Sequence, residues 1–314
     1  MQKRKIGSLE VPVVGVGCNN FGMRIDEART KEVIDAALDA GANFFDTADS
    51  YANGRSEELI GRILGGRRSE VLIATKFGQA IPGQGSGARP AYVKKACDAS
   101  LKRLRTDRID LYQLHIPDPE VPIAETLGAL NELVKSGKVK EIGCSNFSAQ
   151  QLREAEAAAT RLKSARFVSV QNEYSLLHRE PEAQVLGECA RQRIAFLPYF
   201  PLKSGLLTGK YRKGQPIPED TRVAKFERYR KLLTDENLDK VERLGDYARS
   251  HGHAMLDLAI SWLLAHPVVA CVIAGASSAQ QVRANVSAAN WGLSAVDLEE
   301  IDSLLSREAG NATA

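Results

Sequence analysis

The chain has 314 residues, of which 44% are hydrophobic and 26% charged, and its formal net charge is +3. These values are typical of a soluble globular protein, and the near balance of charge gives no reason to expect nucleic acid as a partner. No run approaches the roughly 18 to 20 apolar residues of a membrane span, and the first residues lack the apolar core of a signal peptide, so we expect a cytoplasmic protein with no membrane partner.

Apolar runs of strand length alternate with segments of helical period along the chain. The predicted strands are 13–17, 43–47, 71–76, 109–115, 139–145, 167–172, 194–200 and 268–275. The predicted helices are 26–40, 57–64, 91–104, 122–136, 149–162, 182–192 and 255–265. A connection of roughly 35 residues, 201–235, separates the seventh strand from the next helix, and a connection of that length is usually functional or disordered.

Eight strands rich in Val and Ile, each followed by a helix or crossover, predict a parallel sheet covered on its outer face. Eight such units in about 300 residues favour an α/β fold of the (β/α)8 TIM-barrel type, as a single domain over 1–314. The segment KRKIGSLEVP before the first strand predicts a β-hairpin that plugs the bottom of the barrel. A doubly wound open sheet remains an alternative from the pattern alone.

Two motifs that suggest other sites fail on inspection. GVGCNNFG (15–22) follows a strand, but Asn20 stands where a dinucleotide fingerprint needs glycine. His251 and His253 have no evident third ligand. The five cysteines are far apart and form no Cys-x-x-Cys pair, which indicates reduced thiols. No metal site is predicted.

Ionisable side chains stand at the ends of three successive predicted strands. Asp46 ends the second, Lys76 the third and His115 the fourth, and Tyr51 lies in the loop after the second. The carboxyl ends of barrel strands form the active-site face, so we expect these four side chains to meet there.

Their chemistry fits proton transfer to a carbonyl oxygen. A phenol with pKa near 10 is a poor acid, and a neighbouring ammonium lowers that pKa. Lys76 supplies the ammonium, Asp46 holds it charged, and a neutral His115 donates a hydrogen bond to the same oxygen. No nucleophile is apparent, so hydride from a nicotinamide cofactor would complete the reaction.

The chain also resembles the aldo-keto reductase superfamily over essentially its whole length. The motifs that carry this resemblance are FFDTADSYANGRSEELIG (44–61), TKFG (75–78), LKRLRTDRIDLYQLHIPD (101–118), VKSGKVKEIGCSNFS (134–148), VQNEYSLLHRE (170–180), PLKSGLLTGKY (201–211) and GASSAQQVRAN (275–285). The resemblance implies a (β/α)8 barrel that binds NADP(H), less often NAD(H), without a Rossmann domain. It places a catalytic tetrad on Asp46, Tyr51, Lys76 and His115.

The resemblance also implies a path for the cofactor. Ser145, Asn146 and Gln171 would hold the carboxamide, with Asp46 nearby, and Tyr199 would stack on the nicotinamide. The pyrophosphate and adenosine ends would be held by Pro201, Leu202, Ser204, Gly205, Lys210, Arg222, Gly275, Ser277, Gln281 and Asn285. A 2′-phosphate needs cations or several donors, so the loop residues Lys210 and Arg222 favour NADP(H), and NAD(H) remains possible.

The substrate is expected to be a small-molecule carbonyl compound or alcohol. Specificity in such barrels lies on loops, and the predicted contacts are Phe21, Met23, Tyr51, Phe77, Gln79, His115 and Asp118.

Three alternatives remain. A sugar or alcohol dehydrogenase of the same fold would prefer NAD(H). A cofactor-binding regulatory protein, like the potassium-channel β subunits, would retain the tetrad, and the lack of a long extension before the hairpin argues against it. An isomerase or lyase using Tyr51 as proton donor would leave Tyr199, Ser145, Asn146 and Gln171 without a purpose.

Overall fold

The computed structural model describes residues 1–219 and 221–306. It begins with an antiparallel hairpin of β1 (Lys3–Ile6) and β2 (Leu9–Pro12). The hairpin buries its apolar side chains against the inward-facing residues of the barrel strands, in a cluster that contains Ile6, Leu9, Val11, Phe44, Ala74, Leu111 and Leu197. The hairpin therefore closes the bottom of the barrel.

Eight parallel strands form the barrel wall. They are β3 (Val14–Gly17), β4 (Phe44–Asp46), β5 (Leu72–Phe77), β6 (Ile109–Leu114), β7 (Val139–Ser145), β8 (Ser169–Glu173), β9 (Ala195–Tyr199) and β10 (Val272–Gly275). Neighbouring strands pair in the order β10-β3-β4-β5-β6-β7-β8-β9. The ring is nearly closed by Phe196, whose N–H donates to Val268 O at 2.8 Å and whose carbonyl accepts from Ala270 N at 3.0 Å. The predicted (β/α)8 fold is confirmed.

The helices surround the barrel, and most of them cover the outside of its wall. They are α1 (Glu27–Asp39), α2 (Arg55–Leu64), α3 (Pro90–Leu104), α4 (Ile123–Lys135), α5 (Ala149–Leu162), α6 (Val185–Gln192), α7 (Arg222–Lys225), α8 (Glu227–Arg230), α9 (Asp235–Ser250), α10 (Met255–Leu264), α11 (Ala279–Ser287) and α12 (Ala295–Ser306). Their apolar faces and the outward-facing residues of the strands form one large buried cluster. The final strand is shorter than predicted, because only its last four residues join the sheet.

The connection after β9 is more ordered than the sequence suggested. It holds a 3₁₀ segment, Lys203–Thr208, and the two short helices α7 and α8. Two of its residues, Lys203 and Ser204, have positive φ values of 42° and 57°, followed by Gly205 at 97°. This left-handed run turns the chain back over the top of the barrel, where it covers one side of the cavity described next. We call residues 201–235 the long segment.

Candidate active site

A cavity of about 940 Å³ opens at the carboxyl ends of the barrel strands. Its wall contains three of the tetrad residues: Asp46, Tyr51 and His115. It also contains all of the predicted cofactor residues: Asp46, Ser145, Asn146, Gln171, Tyr199, Pro201, Leu202, Ser204, Gly205, Lys210, Arg222, Gly275, Ser277, Gln281 and Asn285. The structure therefore brings together in one cavity residues from loops that are far apart in sequence.

A buried ion pair lies at the floor of this cavity. Lys76 is fully buried and donates from Nζ to Asp46 Oδ2 at 2.6 Å and to Thr47 O at 2.9 Å. The other carboxylate oxygen, Asp46 Oδ1, accepts from Gln171 Nε2 at 2.9 Å and from Gln113 Nε2 at 3.3 Å. Burial disfavours the ammonium, but Asp46 and Tyr51 together outweigh it, and the pKa of Lys76 lies above its ordinary value. Lys76 is thus held charged and in one position.

Tyr51 stands over this pair. Lys76 Nζ lies 5.1 Å from the centroid of the tyrosine ring. Burial raises the pKa of the Tyr51 phenol, and the ammonium of Lys76 lowers it by less, so the pKa lies above its ordinary value. Lys76 lowers the pKa of the phenol, as the sequence predicted, but burial raises it by more. The ammonium offsets part of a large desolvation effect and keeps the phenol from becoming a still weaker acid.

His115 faces Tyr51 across the same corner of the cavity, with ring centroids 5.9 Å apart in an edge-to-face arrangement. Burial, and then the charge of Lys76, lowers the pKa of His115 to about 3. The imidazole is therefore neutral at physiological pH, as the sequence predicted. Its Nδ1 is buried and has no hydrogen-bond partner among the described residues.

Polar groups at the ends of β7, β8 and β9 form a connected set beside the tetrad. Asn146, at φ 62°, donates from Nδ2 to His115 O at 2.9 Å and accepts from Tyr199 OH at 2.8 Å. Ser145 Oγ donates to Gln171 O at 2.7 Å. Tyr199 is thus tied to the strand that carries His115, and its ring lines the cavity.

Asn20 joins three segments at the opposite rim. Its Oδ1 accepts from Arg222 NH2 at 2.9 Å, and its Nδ2 donates to Ala276 O at 3.1 Å. Arg222 also lies over the rings of Phe200 and Tyr229, at 6.0 and 5.4 Å from their centroids. The long segment is therefore fastened across the cavity to the loop after β3.

Four cations line the cavity: Arg24, Lys210, Arg222 and Arg228. Within residues 1–219 and 221–306, none of them pairs with a carboxylate, and the one acid in the wall, Asp46, is neutralised by Lys76. Lys210 folds over Gly205, where a Cβ would meet its Nζ at 2.8 Å. The cavity is strongly positive, which suits an anionic ligand.

The predicted substrate contacts divide into two groups. Met23 and Gln79 line the cavity, together with Tyr51 and His115. Phe21, Phe77 and Asp118 do not. Phe21 is fully buried in the core, Phe77 stacks on Tyr112 at 4.6 Å, and the Asp118 carboxylate accepts from the backbone N–H groups of Ala88 and Glu120. Packing and loop capping account for these three residues, so their assignment as substrate contacts is corrected.

Another buried carboxyl group, Asp49, stands two residues before Tyr51 in the chain. The backbone N–H of Asp49 donates to Lys76 O at 3.0 Å, but Asp49 Oδ1 has no partner among the described residues. Burial and the nearby Glu57 raise the pKa of Asp49 to about 7, while Arg103 and Lys76 lower it by less. Asp49 is therefore poised to ionise near neutral pH.

Replacing Asp49 with Asn should stabilise the protein at neutral pH. In the unfolded chain the carboxyl ionises near pH 4, and in the folded chain near pH 7, so the wild type loses stability as pH rises through this window. The variant lacks that loss, and its advantage should reach on the order of 2 to 4 kcal/mol at pH 8 and fade at pH 4. Urea unfolding across this range measures it, with the exposed Asp107→Asn as control. An advantage that does not change with pH would contradict the assignment.

Sequence reasoning missed three residues of this site. Gln113 lies on β6, two positions before His115. Side chains two positions apart in an extended chain point to the same side, so the sequence could have indicated that Gln113 belongs to the site. The sequence singled out Asn20 only because it stands where a dinucleotide-binding motif needs glycine. Arg24 had no signal, because its position depends on how the loop after β3 folds.

The buried lysine–aspartate pair, the tyrosine above it and the positive cavity lie at the carboxyl ends of eight parallel strands, which is where (β/α)8 barrels carry their active sites. Residues 13–306 match the sequence model of the Aldo/keto reductase family. The chain belongs to this family.

The chain is similar to known proteins over nearly its whole length. The chain is 38% identical over 300 residues to a probable voltage-gated potassium channel subunit beta of Arabidopsis thaliana, covering 92% of this chain and 91% of the relative. It is 37% identical over 311 residues to a Schizosaccharomyces pombe aldo-keto reductase whose name specifies NADP(+), covering 95% and 89%. A solved holo structure of an aldo-keto reductase from Bacillus halodurans matches with a TM-score of 0.78 at 33% identity, covering 97% of this chain and 96% of that one.

Residues 1–219 and 221–306 contain neither a membrane-spanning helix nor a cluster of metal-ligating side chains. No helix among them is long and apolar enough to cross a membrane. No group of three or more His, Cys, Asp or Glu side chains among them is placed to hold a metal ion.

Proposed function

We propose that the protein is an NADP(H)-dependent oxidoreductase that interconverts carbonyl compounds and alcohols, with Tyr51 as general acid and base. The observation that carries this proposal is the buried pair beneath Tyr51, with Lys76 Nζ 2.6 Å from Asp46 Oδ2. It lies at the floor of a cavity lined by four cations that pair with no carboxylate among the described residues. A proton donor and an anion-binding wall in one cavity suit a phosphate-bearing redox cofactor beside a small substrate.

The residues present fit such a cofactor. Lys210, folded over Gly205, offers a cation beside the backbone of the long segment. Ser278 caps the first turn of α11, where free backbone N–H groups favour a phosphate. Ser145, Asn146 and Gln171 would hold the carboxamide, and the Tyr199 ring offers a flat face for the nicotinamide.

In the proposed mechanism, a nicotinamide cofactor held by these residues would supply the hydride for the carbonyl carbon. The substrate oxygen is bound between the Tyr51 hydroxyl and the neutral His115 imidazole, which orient the carbonyl and polarise it. Tyr51 transfers its proton to this oxygen, and the charged Lys76 stabilises the phenolate that remains. Asp46 balances the charge of Lys76, and the amides of Gln113 and Gln171 hold the carboxylate in place. In the direction of alcohol oxidation the same groups act in reverse.

We expect NADPH to bind at least about tenfold more tightly than NADH. A charge-assisted bond to the 2′-phosphate contributes about 1.5 to 3 kcal/mol, which corresponds to roughly ten- to a hundredfold in affinity. The difference should shrink at high salt, because partly exposed charges are screened. Titration of both cofactors by protein fluorescence at low and high salt gives the four dissociation constants.

Lys210→Met tests the source of this preference, with Lys213→Met as its matched control. Lys213 lies on the same segment but does not line the cavity, and it pairs with Asp239 at 2.9 Å. Lys210→Met should weaken NADPH about tenfold and Lys213→Met hardly at all. Equal affinity of the wild type for the two cofactors, or equal effects of the two variants, would favour NAD(H) as the cofactor.

The activity itself is tested by screening aldehydes, ketones and aldoses for a change in nicotinamide absorbance with both cofactors. Turnover of at least one class at a rate well above that of a Tyr51→Phe control is the expected result. The absence of any turnover across the panel, in both directions, would count against an enzymatic role.

The relative in Arabidopsis gives a second candidate, a cofactor-binding regulatory subunit, because it is 38% identical over most of both chains. Both candidates predict tight binding of a nicotinamide cofactor. They differ in turnover: a regulatory subunit would bind NADPH and respond to its oxidation state, while the carbonyl screen would give no turnover above the Tyr51→Phe control.

A further inference from the structure

Glu57 is a fully buried carboxylate that takes no part in the proposed mechanism. It lies in the first turn of α2, and its side chain does not line the cavity. Its Oε1 accepts a hydrogen bond from Thr75 Oγ1 at 2.5 Å, and its Oε2 accepts from Arg103 Nε at 2.6 Å. Buried ion pairs often add no net stability compared with apolar packing, so stability alone does not account for this one. One side chain thus joins α2 to β5 and to α3.

The first of these bonds holds the strand that carries Lys76. Thr75 precedes Lys76 on β5, and both side chains are fully buried. Successive side chains of a strand point to opposite sides, so Lys76 points into the barrel and Thr75 points outward, where it meets Glu57. The bond therefore fixes β5 from outside the barrel, at the residue next to the ammonium.

The second bond, to Arg103, supports the strained turn Tyr51–Gly54. In this turn Ala52 and Asn53 have φ values of 49° and 55°, and Gly54 has a φ of 92°. Left-handed conformations are unfavourable for residues other than glycine, and two in succession persist only where the surroundings hold them. Gly54 packs so closely on Arg103 that a Cβ would lie 2.7 Å from its Cδ. The turn therefore rests on a side chain whose position is fixed by a buried carboxylate.

We propose that Glu57 is a positioning residue for proton transfer, which sets the Tyr51 hydroxyl and the Lys76 ammonium relative to each other from outside the barrel wall. Thr75 transmits its effect to the strand, and Arg103 transmits it to the turn. None of these three network residues lines the cavity. This inference rests on the proposed function, because it gives Glu57 a part in the reaction that Tyr51 and Lys76 carry out.

The test removes the hydroxyl and the methyl group of Thr75 separately. Thr75→Val removes the bond to Glu57 and keeps the volume, while Thr75→Ser keeps the hydroxyl and removes a methyl group. Thr126→Val is the matched control, because Thr126 is also fully buried and donates one bond, to Ala88 O at 2.9 Å, away from the cavity. Glu57→Gln removes the charge itself. The single-turnover rate, the NADPH dissociation constant and the thermal unfolding of each variant are measured.

Thr75→Val should lower the single-turnover rate by about tenfold and leave the NADPH dissociation constant within about twofold of wild type, because a small displacement of a reacting group costs rate while the cavity is unchanged. Thr75→Ser should keep the wild-type rate although it loses packing. Thr126→Val should also keep that rate, although it loses a buried hydrogen bond. Glu57→Gln should lower the rate at least as much as Thr75→Val does.

Hydrogen exchange without cofactor gives a second readout that needs no turnover. The amide hydrogens of residues 51–54 should exchange about tenfold faster in Glu57→Gln than in wild type, because the turn loses its support. In Thr126→Val they should exchange as in wild type. Mass spectrometry of peptides that cover residues 48–56 measures both variants.

The outcomes separate this inference from the proposed function. Wild-type rates in both Thr75→Val and Glu57→Gln, with activity lost in Tyr51→Phe, would reject the inference and leave the proposed function standing. A loss of rate that Thr126→Val shares would show that the network serves only the fold, and it would also reject the inference. Weaker NADPH binding at an unchanged rate would contradict a role in proton transfer. A wild type that reduces no carbonyl compound would reject the proposed function, and this inference with it.

Discussion

Replacing Tyr51 with Phe should lower the rate of carbonyl reduction by about two orders of magnitude or more, which is the usual effect of losing a general acid. The change removes one hydroxyl and almost no volume, so the cavity keeps its shape and cofactor binding should persist. The Lys76 ammonium, 5.1 Å from the ring centroid, loses the proton donor that it serves. Single-turnover absorbance with bound NADPH measures the chemical step directly.

Tyr92→Phe is the matched control for this measurement. Tyr92 lies half-buried on α3 and does not line the cavity, so the same loss of a hydroxyl there should leave the rate near that of wild type. A Tyr51→Phe variant that reduces a good aldehyde at a near-normal rate would rule out the proposed tetrad.

Lys76→Met should lower the rate of carbonyl reduction at least as much as Tyr51→Phe does, and it should also lower the stability of the fold. The variant leaves the Asp46 carboxylate buried without its counter-charge, which typically costs about 3 to 5 kcal/mol of stability. This is the cost while Asp46 stays ionised, before it takes up a proton. The variant also removes the charge that opposes the desolvation of the phenol, so the pKa of Tyr51 should rise further. Urea unfolding and single-turnover rates measure the two effects separately.

The double variant Asp46→Asn/Lys76→Met distinguishes catalysis from folding. It removes both charges of the buried pair, so most of the lost stability should return, since a neutral pair no longer carries an uncompensated charge. Its activity should nevertheless stay about two orders of magnitude or more below wild type. Recovery of activity along with stability would mean that Lys76 serves only the fold.

Much of the fold was predictable from the sequence, because the period and length of the apolar segments distinguish helices from strands. The helix at 149–162 matches α5 residue for residue, and the helix predicted at 91–104 begins one residue late, since proline occupies the first position of α3. The short helices α7 and α8 were not predicted. Each has only four residues, too few to show a helical period, and contacts with Tyr229 and Phe226 hold them rather than local propensity.

The convergence of Asp46, Tyr51, Lys76 and His115 was predictable for a different reason: barrel topology converts a position at a strand end into a position in space. How deeply each side chain is buried, and the effect of burial on its pKa, were not predictable in the same way. The sign of the shift in the Tyr51 pKa depends on how much solvent the folded chain excludes, and only the structure gives that. The same holds for Phe21 and Phe77, whose loops look suitable but whose rings turn into the core.

The bond between Arg222 and Asn20 bears on the rate of turnover in the proposed function. If the cofactor binds beneath the long segment, as proposed, its exchange would require that this contact and the stacking on Phe200 and Tyr229 be broken. Departure of the used cofactor would then be a slow step after chemistry, as is common when a segment closes over an active site. The steady-state rate would then be the rate at which this segment opens. The faster proton transfer at Tyr51 would not affect it.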